Sequence, residues 1–67
     1  MTYKEAIEKA KAISRQERIN SGRIYESNEG VWVEVYLESN GEYNLDEKGE
    51  KVCAVEATKW SFNVHRY

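Results

Sequence analysis

His65, Cys53 and Ser14 are the side chains that bear most directly on catalysis, because the chain holds one histidine and one cysteine. One His with one Cys cannot supply the four ligands of a zinc site, and a lone Cys has no disulfide partner within the chain. Cys53 lies in a Val-Cys-Ala-Val run and reads as a small core residue rather than a reactive thiol. His65 alternates with Ser61 and Asn63, which places it on the exposed side of a strand. No phosphate-cradling glycine loop, zinc-ligand spacing or nucleophile elbow is present. The expectation is a protein that is not an enzyme and uses no metal and no cofactor.

Charge is distributed unevenly along the chain. Residues 1–25 carry six basic and three acidic side chains, residues 26–50 one basic and eight acidic, and residues 51–67 three basic and one acidic. The net charge of −2 therefore conceals a middle third of about −7. Its carboxylates, Glu26, Glu29, Glu34, Glu38, Glu42, Asp46, Glu47 and Glu50, fall in segments that read as strands and turns, so folding fixes them in space. Spaced carboxylates on a twisted sheet present a field like that of a row of phosphates and steer a basic surface towards them. The competing reading is that solvated Glu merely keeps a sheet soluble.

The aromatics favour a docking surface. Trp32 and Tyr36 share one face of a strand with Glu34 and Glu38, Glu42 follows in the next strand, and Tyr25 comes opposite Trp32 if the first turn has four residues. Exposed Trp and Tyr are enriched where interfaces concentrate their energy. Trp32, Glu34, Tyr36, Glu38, Glu42 and Tyr25 are thus the candidate protein-binding residues, and the partner expected is a protein with a basic surface. The alternative is a nucleic-acid-binding or regulatory protein using a basic stripe of Lys4, Lys11, Arg15 and Arg18, interrupted by Glu8. A pI of 5.4 disfavours nucleic acid as principal ligand. A homodimer formed through an edge strand is the third arrangement.

The elements follow from periodicity. Thr2 with Glu5 forms a capping box, and Tyr3, Ala6, Ile7, Ala10 and Ile13 make an apolar stripe opposite Lys4, Glu8, Lys11, Arg15 and Arg18. Asn20, Ser21 and Gly22 supply stop residues, so the helix is expected to end near Arg18. Beyond it the period becomes two, predicting strands over 23–26, 31–38, 42–45 and 51–57, with 59–66 a fifth strand or a bent continuation. A glycine closes each of the intervening turns, at Gly30, Gly41 and Gly49.

Register in the second hairpin is decided by magnitude. A two-residue loop would turn Tyr43 and Leu45 onto the Trp32 face, whereas a three-residue loop of Ser39, Asn40 and Gly41 sets Leu37 against Tyr43 and Val35 against Leu45. Burial of two such side chains is worth about 1.5–3 kcal/mol each. Facing Glu38 with Glu42 costs about 0.2–1 kcal/mol. The three-residue loop is expected. Apolar residues are odd-numbered through Cys53, Val55 and Ala57 but even-numbered through Trp60, Phe62 and Val64, so a bulge or sharp bend is expected near 57–59.

The whole is one α+β domain over residues 1–67: a single N-terminal helix packed on a four- to five-stranded antiparallel sheet, read as a meander. A core this small is marginal, which leaves little room for a deep catalytic pocket. No apolar run approaches the roughly 18 residues of a membrane span and no signal segment is evident, so a soluble cytoplasmic protein is expected. In size, charge and architecture, and on no motif, the chain resembles in class the small inhibitors that phages and mobile elements deploy against host CRISPR or restriction enzymes. That resemblance implies a blocker of a nucleic-acid-handling enzyme.

Overall fold

The structure, a computed structural model, describes residues 1–21 and 31–67. The strand predicted over 23–26, the turn closing at Gly30 and candidate residue Tyr25 lie outside the described residues. Helix α1 spans Tyr3–Asn20 and opens on the expected capping box. The Glu5 amide donates to Thr2 Oγ1 at 3.2 Å and the Thr2 amide donates to Glu5 Oε1 at 2.9 Å. The helix outruns the predicted end at Arg18 by two residues. Ile19 stays nearly half exposed and gave no apolar signal, while the Ser21 amide closes the last turn on Glu17 O at 2.9 Å.

Ala6, Ile7 and Ala10 are buried as the stripe predicts, but the buried face then continues through Ser14 and Arg18, both at 0% exposure, and leaves Ile13 at 38%. Positions 3, 7, 10, 14 and 18 step by four and three residues and so lie along one line of the helix. Polar side chains on that line broke the hydrophobic signal without breaking the packing.

The sheet has four strands, β1 Trp32–Leu37, β2 Tyr43–Asn44, β3 Glu50–Ala57 and β4 Phe62–Arg66, in the order β2-β1-β3-β4 with every pairing antiparallel. The third strand thus passes beyond the second to pair with β1, and β3 is interior, as its run of apolar residues on both faces requires. Val35, Cys53 and Val55 meet Ala6, Ile7 and Ala10 to form the core. Full burial of Val35 and Val55 is worth about 1.5–3 kcal/mol each.

Leu37 faces Tyr43, and the Glu38 amide donates to Glu42 O at 2.9 Å, so the loop has the three residues expected, with Gly41 at φ +87°. The ladder stops at Asn44 and never sets Val35 against Leu45. Asn44 is responsible: its Oδ1 accepts the amides of Asp46 and Lys48 and its Nδ2 donates to Lys48 O, turning the chain out of the ladder. Leu45 still packs against the core.

The odd-to-even shift near Ala57 has a simple cause, a tight hairpin in place of a bulge or bend. Ala57 faces Phe62 in the register, and the Thr58 amide donates to Ser61 O at 2.9 Å. The turn has no glycine because side chains hold it. Thr58 Oγ1 accepts the Trp60 and Ser61 amides, and the Arg15 guanidinium donates to the carbonyls of Thr58 and Ser61 at 2.7 and 3.3 Å. A bulge occurs elsewhere: between Cys53 and Lys51 the register with β1 slips by one residue, so Val52 is the extra residue and joins the core side.

Candidate protein-docking face

The strand alternation that buries Val35 against α1 turns Trp32, Glu34 and Tyr36 to the helix-free side of the sheet. Trp32 is 46% exposed there. The last residues do not fold over it, because β4 lies in the plane of the sheet as its outer strand beside β3. The register places Lys51 directly opposite Tyr36. Glu34 Oε2 accepts from the Tyr36 hydroxyl at 2.7 Å and from Lys51 Nζ at 2.8 Å. These bonds hold the Glu34 carboxyl below the usual carboxylate range, the Lys51 bond first and the Tyr36 bond second. The same bonds push the Tyr36 hydroxyl and the Lys51 ammonium upward, Glu34 being the leading cause for both.

The row continues across the sheet. Lys51 Nζ lies 5.5 Å from the Tyr67 ring centre, and Tyr67 meets His65 edge to face at 5.1 Å. Alternation alone does not bring Lys51 to Glu34 and Tyr36, or Tyr67 to Lys51. Their proximity depends on β3 lying beside β1, an arrangement that local periodicity does not encode.

Glu38 and Glu42 are paired across the hairpin, but they serve different ends. Glu42 accepts from the N-terminal ammonium at 2.6 Å, and Met1 and Tyr43 exchange backbone hydrogen bonds at 2.9 and 3.2 Å, so Glu42 is drawn to the β2 edge. Glu38 instead lines a shallow hollow of about 430 Å³ with Leu37, Ser39, Gly41, Gly49 and Glu50. Exposed Asp46 and Glu47 precede it in the adjoining turn. Among the described residues the open carboxylates of the middle segment therefore gather at one end of the sheet, next to the Tyr36 end of the aromatic row.

The four basic candidates do not form one solvent-facing row. Lys4 is exposed, Lys11 sits 5.3 Å from the Phe62 ring and 3.6 Å from Glu8, Arg15 is bound to the β3–β4 turn, and Arg18 is buried. Cys53 is buried in the core, and burial pushes its thiol pKa up. Among the described residues no three of His, Cys, Asp and Glu are grouped to hold a metal ion. None of the helices described is long and apolar enough to cross a membrane.

No family model, curated protein or solved structure matches the chain.

Proposed function

We propose that this is a non-enzymatic protein-binding module whose helix-free sheet face, with the acidic end beside it, docks on the basic surface of a partner and blocks it. The observation that carries the reading is the position of β4 in the sheet, which leaves Trp32 uncovered by the last residues of the chain. Trp32 and Tyr36 supply apolar contact area at low side-chain entropy cost, the usual anchors of an interface. Glu38, Asp46, Glu47 and Glu50 supply the field that steers a basic groove to it.

Glu34 contributes less charge to this field than counting suggests, since Lys51 neutralises it. The blocking role, of the kind nucleic-acid mimics perform in the cytoplasm, rests on the acidic end together with the aromatic row. The test is retention of a basic protein from nuclease-treated host lysate by the immobilised chain. Trp32→Ala and the pair Glu38→Lys with Glu50→Lys are each expected to reduce retention at least tenfold, and excess duplex DNA or RNA to displace the bound protein. Retention unchanged in both variants would overturn the reading.

A further inference from the structure

The two edges of the sheet are treated differently. The β2 edge is two residues long and is closed by Met1. The β4 edge, Phe62–Arg66, is five residues long, contains neither Gly nor Pro, and is paired on its outer side by none of the described residues. The bonds from Thr58 N–H to Ser61 O and from Tyr67 N–H to Val52 O fix the phase of the β3–β4 ladder. Asn63 and His65 therefore pair inward, while Phe62, Val64 and Arg66 direct their N–H and C=O groups outward.

The side chains around this edge are basic and aromatic. Lys11 Nζ and Arg15 Cζ stand 5.3 and 4.9 Å from the Phe62 ring centre at one end, and exposed Arg66 closes the other, about 13 Å away at the ordinary strand rise. Lys59 and Trp60, the latter 85% exposed, form the turn where the edge begins. Residues 57–67 contain no Asp or Glu, Glu56 is buried, and Glu8 lies 3.6 Å from Lys11.

We propose that the open edge of β4 takes up an acidic peptide segment in extended conformation as a further strand of the sheet. Backbone pairing to Phe62, Val64 and Arg66 supplies the affinity common to strand addition. Carboxylates four residues apart on one face of the incoming strand reach the cations at Phe62 and at Arg66, and that spacing supplies specificity. A second copy fits less well, because an antiparallel pair centred on Val64 brings Arg66 of the copy onto Phe62, where Lys11 and Arg15 already stand. A single nucleic-acid strand offers phosphates to the cations but no alternating amides to the edge. This surface is separate from the Trp32 face, so the proposal does not depend on the docking reading above.

Fluorescence anisotropy with a short fluorescein-labelled peptide alternating Glu with Val and Thr tests it, against the Lys counterpart and a labelled oligothymidylate. Saturable binding of the Glu peptide is expected, with tenfold or greater preference over both controls. Val64→Pro removes an outward N–H at a position where an edge strand tolerates proline, and is expected to weaken binding about tenfold. Arg66→Glu, at an exposed position, is expected to weaken it several-fold and carries the test if Val64→Pro fails to fold. Equal binding of Glu and Lys peptides, tighter binding of the oligonucleotide, or full affinity in a folded Val64→Pro or Arg66→Glu variant would overturn the proposal.

Discussion

Glu34 accepts hydrogen bonds from Tyr36 and Lys51 together, and its ionisation should be felt by both. A carboxyl whose pKa is lowered by folding adds stability above the ordinary carboxylate range and loses it as pH falls through the lowered value. Tyr36 and Lys51 are raised, so their contributions are complete below their ordinary values and are lost as pH rises through the raised ones. Titration of tyrosine absorbance should therefore show the Tyr36 hydroxyl ionising above the ordinary tyrosine range, and Glu34→Gln should bring it back. An unchanged Tyr36 titration in that variant would remove the cluster from the account. Gly49 makes a second test at this scale. It sits at φ +93°, and a Cβ there would run into the Leu37 carbonyl. Gly49→Ala should cost more than about 1 kcal/mol, whereas Gly41→Ala, left-handed but facing open space, should cost less in the same urea titrations. The need for glycine at both turns was legible in the sequence. The carbonyl that sharpens the need at Gly49 was not, because it belongs to a different strand.

Between elements, Ser14 has the most consequential position. Its hydroxyl accepts the Ala57 N–H and donates to Val31 O, each at 2.7 Å, with the side chain at 0% exposure. Continuing the β1–β3 register one step past Trp32 and Glu56 would pair Val31 with Ala57, so a helix side chain stands where a ladder bond would otherwise close. Ser14→Ala leaves a buried amide and carbonyl to find one another, and should cost about 1–3 kcal/mol in chemical denaturation. Arg15 plays the matching part for the β3–β4 turn. Arg15→Ala should speed amide exchange at Ser61 and Thr58 more than at Val55, and equal change throughout would argue for global weakening instead. The helix start, the Val33 and Val35 face and the Leu37–Tyr43 register could all be read locally, from capping and alternation. Ser14 and Arg15 could not, because their partners come from distant parts of the fold, nor could the burial of Arg18, because a helical wheel assigns polar residues to solvent.

Among the described residues a single helix lies on a four-stranded antiparallel sheet, and the exposed carboxylates of Asp46, Glu47 and Glu50 gather with Glu38 at one end of the strands. Lys59, Trp60 and Arg15 stand at the other end, where β3 meets β4, while Lys51 and Arg66 lie toward the acidic one. The compositional run of net −7 was visible in the chain, but the pairing that sets Glu34 apart from the open carboxylates depends on Lys51 lying across from Tyr36. The cluster of exposed carboxylates gives the docking proposal a clear salt signature, since screening shortens the reach of exposed charges to about 8 Å at physiological ionic strength. Association with the partner should therefore slow as salt rises, while Trp32→Ala should mainly speed dissociation. The most direct measurement is amide chemical-shift mapping of the labelled chain as the retained basic partner is added. Perturbations confined to Trp32, Tyr36, Glu38 and Glu50 with their β3 neighbours are the result expected. Shifts centred on the exposed helix around Lys4 and Lys9, with the Trp32 face silent, would contradict the account.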